Sequence, residues 1–76
     1  MITVKLFGLL RVESGIKQET LEAACVKDVL QHLSGMGIPE KTLRGCVVFV
    51  NGESAHKRKK LKNGDLVVLM PPVAGG

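Results

Sequence analysis

The chain has 76 residues, 45% of them apolar, only two aromatic residues and a formal net charge of +4. That length holds one domain with a small core, and the aliphatic content excludes a disordered chain. No apolar run is long enough to cross a bilayer, and the scarcity of aromatics argues against the stacking surfaces of RNA-binding sheets.

The first segment, Ile2 to Leu6, sets Ile2, Val4 and Leu6 against Thr3 and Lys5, the alternation of a half-buried strand. Its lysine inside an apolar stretch does not fit a signal peptide, so a cytoplasmic protein is expected. Glu13-Ser14-Gly15 supplies turn chemistry, and a second strand is predicted over Lys17 to Ala23, closing an N-terminal hairpin. Val26, Val29, Leu30 and Leu33 then fall at i, i+3, i+4 and i+7, one face of a helix. Asp28 sits favourably in its first turn, Gly35 and Gly37 stop it, and Pro39 is expected to prevent its resumption. His32 lies on the exposed side with no second ligand one turn away.

Cys46-Val47-Val48-Phe49-Val50 is apolar throughout and reads as a strand covered on both faces. Asn51-Gly52 is a strong hairpin signal, with a short return strand near Ser54-Ala55-His56. Asn63-Gly64-Asp65 makes another tight turn before a last apolar strand, Leu66 to Met70. The order strand, strand, helix, strand, short strand, strand fits an α+β domain over 1–70. With the first and last strands parallel at the centre, it is a β-grasp (ubiquitin-like) fold: a mixed sheet of four to five strands with one main helix across one face. One helix covers only one face. The apolar residues on the other face are therefore either surface for a partner or filled by loop residues such as Ile38 and Leu43.

No catalytic constellation is present: no Ser-His-Asp set, paired carboxylates, phosphate loop or metal cluster. Cys25 and Cys46 match no metal or redox spacing and read as small apolar residues. The densest charge, Lys57-Arg58-Lys59-Lys60, is read first as a solvated loop, second as a dock for an acidic protein, and only third as a nucleic-acid footprint.

The sequence ends Pro71-Pro72-Val73-Ala74-Gly75-Gly76. The prolines stiffen the stem of a tail over 71–76, and the glycines let its end enter a narrow channel. Six residues beyond Met70 reach about 20 Å when extended. A terminal carboxylate is ionised at neutral pH and inert until converted to a mixed anhydride, which needs an ATP-using partner.

This tail, with Val4-Lys5-Leu6-Phe7, Leu10-Arg11, Gly15, the 26–33 helix, Val50-Asn51-Gly52 and Gly64-Asp65 in matching order, resembles the MoaD/ThiS family of ubiquitin-like sulfur carriers, nearest its molybdopterin synthase small subunits. Cys25, where a capping Thr or Ser is usual, and the basic run departs from that pattern. The resemblance implies a carrier, not an enzyme by itself. A ubiquitin-activating-type adenylyltransferase would use MgATP to adenylate Gly76, and a sulfur donor protein would convert it to a thiocarboxylate. The tail would then enter the larger molybdopterin synthase subunit, with Gly75 fitting the channel and Pro71, Pro72, Val73 and Ala74 positioning it. Phe7 and the run Lys57, Arg58, Lys59 and Lys60 are the docking candidates. No bound cofactor or metal, no nucleic acid and no membrane partner is expected. Other sulfur-carrier pathways (thiamine, tRNA thiolation, cysteine), a ubiquitin-like modifier, and a basic binding module stay open.

Overall fold

Five strands and three helices follow one another as β1 (Ile2–Leu6), α1 (Leu9–Ser14), β2 (Gln18–Leu21), α2 (Val26–Gly35), α3 (Glu40–Arg44), β3 (Val47–Val50), β4 (Glu53–Ala55) and β5 (Leu66–Met70). They belong to a computed structural model in which residues 1–71 are described. The strands form one sheet in the order β2-β1-β5-β3-β4. β1 and β5 pair in parallel, Val4 opposite Val67, and every other pairing is antiparallel. First and last strands thus meet at the centre, as the β-grasp reading requires.

The alternation in β1 becomes geometry directly: Ile2, Val4 and Leu6 are buried, while Thr3 and Lys5 are half-exposed on the opposite face. Val48, Val50, Val67 and Leu69 continue the buried face across β3 and β5. Over it lies α2, which contributes Val26, Val29 and Leu33. Its start is fastened from two directions. The Asp28 carboxylate accepts the backbone N–H groups of Ala24 (3.0 Å) and Cys25 (3.3 Å). The N–H groups of Val26 and Lys27 donate to the carbonyls of Lys59 and Lys57, each at 3.0 Å. The basic run exposes its side chains as a solvated loop would, yet its backbone caps the helix. At the other end, Gly37 takes φ +104°, a conformation that requires glycine after Gly35 closes the helix.

Two helices depart from the sequence reading. Leu9–Ser14 is not merely a turn: it forms α1, bounded by Gly8 and Gly15, with Leu10 alone buried. Six residues and one buried position give no periodic signal to read. Pro39 does end α2, but it also precedes α3, since proline's fixed φ suits a helix start as well as it blocks a continuation. Strand limits also shift. β2 spans four residues rather than seven, β3 begins at Val47, and β4 is one residue earlier than expected.

Neither β3 nor β5 is covered on both faces. Ile38 and Leu43 join the same buried cluster as Val26, Val29 and Leu33. They do not cover the other face, where Phe49 and Val68 are half-buried and Val47 and Met70 are exposed. The helical layer reaches one side only, and the remaining apolar surface is left open.

Candidate functional site

β5 is the strand that carries the chain towards its final residues, so the place where it leaves the sheet is the candidate site. Its placement is rigid in origin: β5 is hydrogen-bonded on both sides, to β1 and to β3. Parallel pairing with β1 extends one step past the strand, where the Phe7 N–H donates to the Leu69 carbonyl at 3.1 Å. Phe7 and Met70 therefore stand at the same end of the sheet, with Val47 paired to Met70 on the far side. All three are exposed, at 41%, 42% and 37%, and form an apolar rim around the exit. Below them, Phe49 pairs with Val68, extending the apolar strip down the open face.

Gly8 closes the arrangement. Its φ of +61° and ψ of −141° lie in a region that glycine alone occupies readily. A Cβ built there would meet the Pro71 ring at 2.8 Å from Cγ and 3.1 Å from Cδ. The missing side chain is thus the space the proline fills, and Gly8 and Pro71 pack together at the end of β5. The Gly8 carbonyl is committed too, accepting the N–H groups of Arg11 and Val12 in α1. Sequence reasoning passed over Gly8, since a single glycine after a strand reads only as a turn. The signal that could have found it is a glycine directly after the strand that pairs in parallel with the one leading into Pro71.

Of the sequence candidates, Phe7 and Pro71 come together at this exit. Pro72, Val73, Ala74, Gly75 and Gly76 lie outside the described residues. Lys57, Arg58, Lys59 and Lys60 lie elsewhere. They sit against the first turn of α2, at the end of the sheet where β2 finishes opposite Ile2. That opposite end is polar. Asn51 accepts the Leu66 N–H (2.9 Å) and donates to Asp65 (3.0 Å), and Asp65 also accepts the Lys62 N–H at 2.8 Å. The backbone hydrogen bond from Lys62, followed by that from the Asn51 side chain, holds the Asp65 carboxyl below its ordinary range. Asn51 and Gly52 both take positive φ, the two-residue turn the sequence signals.

Of the two cysteines, Cys46 packs against the buried cluster, whereas Cys25 stands at the N-cap of α2. Both are free and half-buried. Cys46 donates to the Thr42 carbonyl at 3.1 Å, and burial pushes its thiol pKa up, away from reactivity. Among the described residues no group of three His, Cys, Asp or Glu side chains could hold a metal, and no helix is long and apolar enough to cross a membrane.

The chain matches the ThiS family over residues 4–76. It is 31% identical to the molybdopterin synthase sulfur carrier subunit of Chlamydomonas reinhardtii, covering 99% of this chain and 98% of that one. It is also similar to the small archaeal modifier protein 1 of H. volcanii, with a TM-score of 0.79 and 28% identity over 95% of this chain and 97% of that one. Subunits 1 and 2 of the molybdopterin-converting factor from Helicobacter pylori form a protein-protein complex. One chain of it matches with a TM-score of 0.69 and 26% identity, over 99% of this chain and 97% of that one. The chain belongs to the ThiS family: it is a sulfur carrier of the ThiS/MoaD group and not an enzyme in its own right.

Proposed function

We propose that this carrier serves molybdopterin synthesis, with Gly76 as the sulfur-bearing residue. The carboxylate of Gly76 attacks the α-phosphorus of MgATP on a ubiquitin-activating-type adenylyltransferase, and pyrophosphate leaves. A sulfur donor protein supplies sulfur at the level of sulfide, which displaces AMP at the carbonyl carbon and leaves a thiocarboxylate. The tail then delivers that sulfur inside the larger molybdopterin synthase subunit. The observation that carries the choice of pathway is the full-length likeness to the Chlamydomonas sulfur carrier subunit.

What this chain supplies is aim and docking surface. Pro71 is set by Gly8, and the next five residues reach about 17 Å from it when extended. The apolar rim of Phe7, Met70 and Val47 surrounds the point of departure, where a partner's active-site mouth would press. Burying that rim against a partner favours a seated complex, in which the tail threads inward without other contacts.

Deleting Gly75 and Gly76 tests the proposal. ATP-pyrophosphate exchange with the cognate activating enzyme is expected to vanish while the denaturation midpoint stays unchanged. Exchange that survives the deletion would refute it. The likeness to small archaeal modifier protein 1 supports a second reading, in which Gly76 is joined to lysines of other proteins. Intact-mass measurement of the protein from its host separates the two. Replacement of one oxygen by sulfur supports the carrier, and isopeptide-linked remnants on other proteins support the modifier.

A further inference from the structure

We infer that the cleft between α2 and α3 is a second docking surface, shaped for an acidic, leucine-bearing segment of a partner protein. The cleft has a volume of about 300 Å³; Lys27 and Leu30 line it from α2, Glu40, Leu43 and Arg44 from α3, and Lys57 from the basic run. Lys57 is held there by its backbone, whose carbonyl accepts the Lys27 N–H at 3.0 Å. The basic run is thereby fixed with one of its cations beside those of the two helices.

Three cations and one carboxylate leave the cleft with a formal +2, and none of the three is neutralised within the described residues. The one ion pair there joins the Met1 ammonium to Glu22. A concave surface lined by one sign of charge focuses its field and draws in the opposite sign. Its floor is different in kind: Leu30 is half-buried, and Leu43 is 3% exposed. A ligand that satisfies both parts carries carboxylates spaced around an aliphatic side chain.

Two other polyanionic surfaces fit less well. Single-stranded nucleic acid needs aromatic faces for stacking, and neither aromatic residue lines the cleft: Phe49 lies in β3 and Phe7 just past the end of β1. A membrane surface needs apolar side chains that protrude, and here Leu43 is buried and Leu30 half-buried.

The cleft lies on the helical side, and the open apolar strip of Phe49, Val68 and Met70 lies on the other face of the sheet. Both can be occupied at once. An acidic segment in the cleft would hold the carrier while its tail end is engaged elsewhere, so the carrier can pass between enzymes without full release. Binding in the cleft itself needs neither the tail nor an activating enzyme, whereas this role in the cycle rests on the proposed sulfur chemistry.

The test is an amide-resolved NMR titration of the full chain at low salt, with a capped hexapeptide of glutamates and two leucines spaced three apart. Shifts are expected along 26–34, at 40–44 and at Lys57. Lys27→Glu, Arg44→Glu and Lys57→Glu should each weaken binding about fivefold, and Leu30→Ala should weaken it without changing its salt dependence. The dispersion of each variant's spectrum reports whether it is folded. Shifts confined to 58–62, or no shifts at all, would overturn the inference. So would a ten-nucleotide oligothymidylate that binds the same amides more tightly than the peptide.

Discussion

The two ends of β5 are held by opposite chemistry. At its start, Asp65 and Leu66 are tied to Asn51 through side-chain and backbone hydrogen bonds, with Lys62 adding another. At its finish, Met70 and Pro71 have apolar neighbours and a glycine cut to fit a proline ring. At the polar end, Asn51 and Asp65 spend their hydrogen bonds on the domain's own turns. The apolar end is ordered as far as Pro71 but unsealed, with Phe7, Met70 and Val47 exposed around it. Between the ends, the strand's two faces divide the same way, one buried and one open.

The largest effect comes from breaking the strand's buried face. Leu69 is fully buried at the centre of the sheet, so Leu69→Ala should cost about 2–5 kcal/mol in urea unfolding. A cost below about 1 kcal/mol would mean that β5 is not the core strand described above.

At the apolar end, Gly8→Ala should cost about 1–3 kcal/mol, from backbone strain at φ +61° and from the clash with Pro71. Pro71→Gly removes the ring without relieving the strain. A double-mutant cycle between the two positions should therefore show a coupling of about 1 kcal/mol. Strictly additive effects would remove Gly8 from any part in aiming the tail.

At the polar end the handle is pH. Asp65 has a lowered pKa in the folded chain, so it binds its proton more weakly there than when unfolded. Its contribution is complete above the unfolded aspartate value of about 4 and is lost as pH falls through the lower folded value. The wild-type denaturation midpoint should drop across that acid range, and Asp65→Asn should drop less steeply. Identical acid slopes would show that the Asn51–Asp65 linkage does not stabilise the fold.

How much of this could be read in advance depended on the length of the pattern each element writes. β1 and α2 carry complete hydrophobic periods, β5 is an apolar run of strand length, and Asn51-Gly52 names its own turn, so the topology was legible. α1 and α3 bury one residue each, too few to show a period. β3 and β5 carry apolar residues on both faces, and a sequence cannot say which face the helices leave bare. The site was half legible. Phe7 and Pro71 attract attention by type, whereas Gly8 matters only because the parallel pairing of β1 and β5 sets it beside Pro71. A dock for an acidic protein was among the readings of the basic run, but its place in the fold was hidden for a related reason. Its backbone caps α2 and its Lys57 lines the cleft, and both depend on a return of the chain that no local pattern encodes.

The smallest effect on stability falls at Met70, the immediate neighbour of Leu69, and it sharpens the comparison most. Met70 points to the open face at 42% exposure, so Met70→Ala should change folding stability by no more than about 0.5 kcal/mol. If the apolar end of β5 is a partner's seat, the same change should raise the KM for this carrier in ATP-pyrophosphate exchange about tenfold, a loss of about 1.4 kcal/mol of binding. Turnover at saturation should be largely retained, because the tail itself is untouched. Two adjacent residues of one strand would then separate cleanly, Leu69 governing whether the domain folds and Met70 whether it is seated. A Met70→Ala protein with unchanged KM would show that the open face is apolar for some reason other than docking at the activating enzyme.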